Sequence, residues 1–398
     1  VRPVLKAGLR RLWRDSTTLQ IGVDPLRAVI LTDVGPADLS ALNTLGSPGP
    51  ELGLGPGGGE ARDPTARTMI EILAQAGLID DAADSGPAPV SDGDHDRFDP
   101  DLAALSLSSF GVRVPRSALH RRRRARVCVR GAGRIGAQIA TLLAAAGVGQ
   151  ILVDDPGPTS AADVAPGGLR LDDIGRPRSL AADTAVRRAT GRRDPPCRQP
   201  KSRPMRSAKV EPLRPDLVLL APVGLPVVHP DECLRMERAG VPHLLAGVRE
   251  TTGIIGPLIV PGVTSCLHCQ HLHRDARDSD WLILAMQMIR PPEHGADPCE
   301  ISLATLVAAI TAMQALDFLD LNTAASDRPR QLPTAANGTL EIARTDLRIR
   351  RRTWPLHPEC PCRTARAAAG SPPQEQAISP EVLETAIDRQ QIATGSTR

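Results

Sequence analysis

The residues with the clearest chemistry are two cysteine pairs, Cys266-Leu-His-Cys269 and Cys360-Pro-Cys362. Two close thiol pairs far apart in sequence suit one tetrahedral zinc. Each pair supplies two thiolates, and the fold brings the pairs together. Four protein ligands leave no open position, so such a site is structural: it pins the end of the chain to the body instead of activating water. His268, His271, His273 and His357 are the alternative ligands. The alternatives to metal are free thiols or C-x-x-C redox chemistry, and redox fits poorly because a thioredoxin-type motif belongs at a helix start in its own fold. Cys128, Cys197, Cys233 and Cys299 follow no pairing pattern.

A second constellation lies in RVCVRGAGRIGAQIATLLAAAGVGQILVDD, residues 126–155. Gly131, Gly133 and Gly136 have G-x-G-x-x-G spacing between an apolar strand at 127–129 and an alanine- and leucine-rich helix at 138–146. Gly131 allows a tight turn, Gly133 lets backbone approach a phosphate, and Gly136 lets helix and strand pack closely. The helix N-terminus then offers unpaired N–H groups to an anion. A second strand at 151–153 ends on Asp154 and Asp155, in register for the acidic residue that holds ribose hydroxyls. The alternative is a glycine turn kept only for helix–strand packing.

The elements that must hold these groups point to an α/β chain. At 398 residues there is room for two or three domains. Aromatics are 2% and Tyr is absent, so the core must be aliphatic and base-stacking platforms are nearly excluded. A net charge of +3 makes no case for a polyanionic partner. The apolar run at 217–228 is broken by Pro222, Gly224 and Pro226, and the long apolar helix expected at 301–321 carries Asp317 and Asp320. No membrane span is therefore expected, and the chain reads as cytoplasmic. Eight cysteines in that compartment point to metal or thiols before disulfides.

Residues 1–83 read as a small winged-helix-like α+β module. It has a hairpin of runs 17–21 and 28–32, a short helix from Asp38, and a stronger helix opened by Pro64 with Met69, Ile70, Ile72, Leu73 and Leu78 on one face. That helix has one Arg and no Lys, so nucleic acid is not an expected partner. The glycine-rich stretch 46–59 reads as loose, and residues 84–120 as a linker. Residues 121–362 form the main Rossmann-like domain, opening with four arginines, Arg121 to Arg124. These are either a solvated approach to the sheet or a reach across a homodimer. Residues 187–209, with nine basic residues and one acidic, read as a disordered basic loop. Residues 216–220 and 242–247 read as strands, 231–239 as a helix, 339–349 as one half-exposed strand, and 363–398 as a disordered tail.

The run GAGRIGAQIATLLAAAGVGQILVDD, the later DIGRPR, the GPLIVPG segment and the two cysteine pairs resemble the ThiF/HesA/MoeB family of ubiquitin-activating-enzyme-like adenylyltransferases. The resemblance spans residues 121–362. HPECPC near the end, with a small module in front, resembles one branch: ThiF-like partner proteins of thiazole/oxazole cyclodehydratases, whose N-terminal module captures the leader of a precursor peptide. The resemblance implies ATP, a structural zinc, a peptide or carrier-protein substrate, a modifying-enzyme partner and a homodimer. It places Gly131, Gly133 and Gly136 at the phosphates and Asp154 or Asp155 at the ribose. Arg178 stands where the family's lysine follows the DIG triplet, which keeps the charge but not the geometry. The family's asparagine and arginine are missing from SAADVAPGG, and its magnesium aspartate is Pro222. Weak ATP binding without efficient adenylation is the expectation, with no catalytic residue assigned; the alternative is an active adenylyltransferase acting on a sulfur-carrier protein.

Overall fold

The computed structural model describes residues 3–45, 64–81, 92–107, 115–190, 214–292, 295–321 and 332–362. The glycine-rich stretch 46–59, the basic segment beyond residue 190 and the tail 363–398 lie outside the described residues.

The first unit holds two small antiparallel sheets and two helices. Strand β1 (Pro3–Leu5) pairs with the later β5 (Ile79–Asp81), while β2 (Arg11–Trp13), β3 (Leu19–Ile21) and β4 (Val29–Leu31) form a sheet in that order. Helices α1 (Pro36–Thr44) and α2 (Pro64–Gln75) cover it. The expected hairpin is therefore present, with β2 added. Its period-2 pattern puts Leu19 and Ile21 inward against Leu42, Leu45, Met69, Ile70, Leu73 and Leu78. Ile72 is 43% exposed and leaves the expected inward face.

The stretch 84–120 is not a plain linker. It holds helix α3 (Asp92–Leu107) and the start of α4 (Pro115–Arg124). Gly, Pro and Asp lower helix propensity there, but tertiary contacts override it. Arg97 donates to the C-terminal carbonyls of two later helices at Ala145, Ala189 and Thr190, and Phe98 is buried under the guanidinium groups of Arg97 and Arg123. At the other end, buried Lys6 donates to Ser106 O (2.6 Å) and lies 3.6 Å from Asp80. Helix α3 thus ties the first unit to the main body.

The main body alternates strand and helix. Its elements are β6 (Arg126–Arg130), α5 (Gly136–Ala145), β7 (Gln150–Asp154), α6 (Arg178–Ala189), β8 (Leu217–Leu220), α7 (Pro230–Arg238), β9 (His243–Arg249), β10 (Thr252–Ile259), α8 (Leu267–Asp275), α9 (Trp281–Met288), α10 (Ile301–Asp320), β11 (Gly338–Ala343) and β12 (Ile349–Thr353). The sheet order is β12-β11-β10-β9-β8-β6-β7, with β9, β8, β6 and β7 parallel and the other three strands antiparallel. One face packs on α5, α6 and α10 through Val127, Ile139, Leu143, Leu217, Leu244, Val307 and Leu340. The other face packs Val218, Leu220, Leu245 and Ile259 against Met236 of α7 and Leu267 of α8.

Three expectations need correction. The run 339–349 is not one strand: it turns after Ala343, where Asp346 accepts from Arg348 N and binds Arg350, and it returns as β12. Helix α8 starts inside the first cysteine pair and α9 follows it, where the sequence pattern marked no element. Three of the four arginines are engaged within this chain: Arg122 forms a buried pair with Asp320 at 2.6 Å, Arg121 donates to Asp320 O and Arg123 lies over Phe98, while Arg124 is exposed. Helix α10 is long and apolar enough to cross a membrane, yet Leu303, Val307, Ala308, Thr311 and Ala315 are buried against the sheet and its neighbours.

Candidate metal centre and nucleotide turn

Cys266 precedes the first turn of α8 and Cys269 lies within it, while Cys360 and Cys362 come from the chain after β12. All four are buried, and their sulfurs lie within 4.8 Å of one another. Neighbouring sulfurs are 3.8 Å (Cys266–Cys269), 3.5 Å (Cys266–Cys360) and 3.4 Å (Cys269–Cys362) apart. These are far from bonded sulfur distances. A zinc–sulfur bond of about 2.3 Å gives a tetrahedral edge of roughly 3.8 Å, so the donor set fits one zinc. Cys266 does stand at a helix start, so helix position alone does not separate metal from redox chemistry; the convergence of four sulfurs does.

The surroundings fix this cluster. His357 N–H points at Cys269 Sγ (3.4 Å), and His268 Nδ1 lies 3.3 Å from Cys360 Sγ. Ser265 Oγ donates to Trp354 O, and the buried Trp354 indole donates to Thr339 Oγ1 (2.8 Å), which anchors the returning chain to β11. The other histidines are engaged elsewhere. His271 Nδ1 accepts from Trp281 Nε1 (3.1 Å), leaving Nε2 facing Val228 O, and burial pushes it down to about 4, so it is a neutral structural group. His273 Nε2 faces Pro355 O. Among the unpaired cysteines, Cys128 and Cys233 are buried in the same core, and burial pushes Cys233 up to about 12.

The glycine turn sits at the C-terminal edge of β6. Gly131 has φ +92°, and a Cβ there would lie 2.0 Å from Ala221 O; a Cβ on Gly136 would lie 1.9 Å from Gly131 O. Both positions therefore require glycine for close packing of β6, α5 and the end of β8. Gly133 is also closely approached by side chains. Its added Cβ would meet Val223 Cγ2 at 3.0 Å and Asp163 Oδ1 at 3.3 Å.

The two candidate ribose acids separate. Asp154 is exposed at the end of β7, 3.9 Å from Arg130 Nε. Asp155 is buried and fully used: it accepts from Ala132 N (2.8 Å), Gly157 N (3.0 Å) and Arg178 Nε (2.9 Å). Arg178 also reaches Asp163 Oδ2 (3.3 Å) and Pro158 O (2.9 Å). Burial works against its charge, but the bond to Asp155 and the fields of Asp155 and Asp163 more than offset this, holding the guanidinium above the ordinary arginine range. Arg134, inside the turn, donates to Ala162 O and Cys299 O. Arg130 pairs with Glu232. Each described cation at the turn is thus already bonded within the chain. Sequence reasoning missed Asp163. Its signal was the S-x-x-D pattern, because Asp163 accepts from Ser160 N and Oγ (both 2.8 Å) as a helix-start capping box.

A parallel-rich Rossmann-like sheet, a glycine turn at the end of β6 and a C-x-x-C/C-x-C cluster define an adenylyltransferase-like fold with four buried cysteines that could hold one metal ion. The ThiF family model matches residues 111–362, more than half of the chain, so the chain belongs to the ThiF family. No curated protein sequence matches it. Among solved structures it is similar to E. coli MccB with MccA-N7isoASN (14% identity, TM-score 0.60, 91% of this chain and 99% of that one). E. coli MccB with ATP gives the same identity, coverage and TM-score of 0.60. PaaA is similar at 16% identity and TM-score 0.57, over 87% of this chain and 98% of that one. At these identities the likeness is one of fold.

Proposed function

We propose that this protein is a cytoplasmic, homodimeric ThiF-family scaffold that binds a precursor leader peptide and presents it to a cyclodehydratase for azoline formation, its own adenylation site being degenerate. The observation that carries the reading is the closed network at the turn. Arg178, at the family's lysine position, is bonded to Asp155 and Asp163. A triphosphate needs uncommitted cations to offset its charge. Gly131, Gly133 and Gly136 with the α5 N-terminus would hold a nucleotide phosphate and Asp154 its ribose, and bound ATP would supply an adenylyl group for activating a carboxylate. Pro222, beside Gly131, brings no carboxylate to a metal there. The test is ATP–pyrophosphate exchange. Rates at background with candidate peptides and carrier proteins are expected. Exchange well above background, abolished by Gly133→Val, would instead establish an active adenylyltransferase working on a carrier C-terminus.

Residues 1–83 are the peptide-recognition module in this reading. MccB has been solved in complex with N-formylated MccA, which supports a peptide partner for this fold. Ile70 and Leu73, on the apolar face of α2, are spent in the module's core. Some accessible apolar groups lie on the sheet: β4 is an edge strand, with Ile30 47% exposed, and Leu12 lies in the same row across β3. Strand addition there would take affinity from main-chain hydrogen bonds and specificity from such side chains. Ile30→Glu in the full chain is expected to weaken a leader peptide encoded beside this gene by about thirtyfold, roughly 2 kcal/mol, in fluorescence anisotropy. Unchanged binding would remove the module from peptide capture.

A further inference from the structure

The opposite edge of the large sheet carries a surface that neither the metal centre nor the glycine turn uses. Strand β12 is terminal in the sheet, and all five of its residues are exposed. Main-chain groups in an antiparallel pair alternate between facing the neighbour and facing away. Trp354 N–H donates to Asn337 O (2.8 Å), so by parity Arg350 and Arg352 bond toward β11. The N–H and C=O groups of Ile349, Arg351 and Thr353 therefore point to the open edge.

The side chains around that edge are strongly cationic. Arg352 Nε lies 3.1 Å from Glu341, and Arg249 lies 3.9 Å from the same carboxylate. Arg350 is next to them on β12 and binds Asp346 in the turn. Behind this row, Arg274 of α8 lies over the rings of Trp281 (4.5 Å) and Trp354 (5.4 Å), two of the three tryptophans in the chain. Among the described residues no carboxylate pairs with Arg274 within salt-bridge distance. Burial, then Arg249 and Arg352, push it down to about 10 against the opposing pull of Glu341. One glutamate thus serves three neighbouring arginines.

Charged residues on an edge strand have a plain role, which is to prevent edge-to-edge aggregation. Solvated side chains on β12 suffice for that. They do not account for Arg274, a cation kept partly out of water between two indoles and facing two further cations. The indoles hold that cation by cation–π attraction, and an anion arriving from outside would offset its repulsion by Arg249 and Arg352, while the same edge offers unpaired main-chain donors and acceptors. We propose that β12 takes an extended acidic segment of a protein partner as an eighth strand, with carboxylates seated opposite Arg350 and Arg352 and Arg249 and Arg274 behind them. Opposite charges directly across a strand pair favour such a register. This surface does not depend on the peptide-capture reading of residues 1–83, since it lies on a separate sheet.

The experiment is fluorescence anisotropy on the full chain with three labelled probes: a peptide alternating Glu and Val, the same peptide with proline at alternate valines, and an oligothymidylate of equal charge. The alternating peptide is expected to bind at least about tenfold more tightly than the proline form, because proline removes ladder donors. Arg350→Glu with Arg352→Glu is expected to abolish that preference. Thr353→Pro, which blocks one outward N–H and leaves every arginine in place, is expected to weaken the alternating peptide alone. It also serves if the double variant does not fold. No binding of the alternating peptide, equal binding of the proline form, or tighter binding of the oligothymidylate would each overturn the proposal. Loss of peptide binding in Ile30→Glu would bear on the N-terminal module and leave this preference intact.

Discussion

Purified protein is expected to carry about one equivalent of zinc, and stripping it is expected to unfold the C-terminal end of the main domain. Cys266, Cys269, Cys360 and Cys362 are buried in the core shared with Met236, Ile259 and Leu267, so the metal would bridge α8 to the chain after β12 inside a packed layer. Structural zinc binding in small peptide domains is worth about 10–16 kcal/mol near neutral pH. Whole-domain stabilities are about 5–15 kcal/mol, so even a fraction of that energy is decisive. Cys360→Ser with Cys362→Ser should lose the metal and lower the melting temperature by an amount that a chelator reproduces in the unmodified protein. Because the ligands must be thiolates, protons compete with metal, and the stabilisation should fall as pH falls. Elemental analysis and thermal unfolding with and without chelator check this. A metal-free preparation with unchanged melting would refute the site.

The cysteine pairs were legible in the sequence because their spacing is local and their chemistry needs no context. The β6–α5–β7 unit was legible for the same reason: its turn is set by glycines within six positions, each with a nearby steric cause at Gly131 and Gly136. What the sequence hid was long-range. Helix α3 runs through aspartates and a proline, and is held by Arg97 and Lys6 bonding to groups about a hundred residues away. Asp154 and Asp155 were equivalent in the sequence. Only the fold turns Asp155 inward to Ala132 N and Arg178, leaving Asp154 in solvent. The turn at Asp346 interrupts a clean alternating pattern, and alternation alone does not record where a strand reverses. Periodicity put Ile70 and Leu73 on an apolar face without saying that the module's own core already covers it.

Arg178→Ala is expected to destabilise the protein by about 3 kcal/mol, because it removes the one cation that two buried carboxylates share and leaves them only their neutral donors. Asp155 and Asp163 both touch Arg178, at 2.9 and 3.3 Å, and both are nearly sealed from solvent. Arg178→Lys should recover only part of the loss, since one ammonium cannot reproduce a planar fork reaching two carboxylates and Pro158 O at once. Adding Asp163→Asn to Arg178→Ala should restore some stability by removing one of the stranded charges, giving a positive coupling in the double-mutant cycle. These outcomes follow if Arg178 is an internal clamp. A triphosphate ligand would behave in the opposite way: Arg178→Ala would leave the melting temperature near that of the parent, abolish fluorescent-nucleotide binding, and show no coupling to Asp163. Urea unfolding of the four proteins, run beside nucleotide titration, separates the two roles. The clamp reading falls if Arg178→Ala unfolds like the parent while losing nucleotide. If it holds, Arg178 is a strut whose charge is spent on Asp155 and Asp163, as the proposed scaffold function requires.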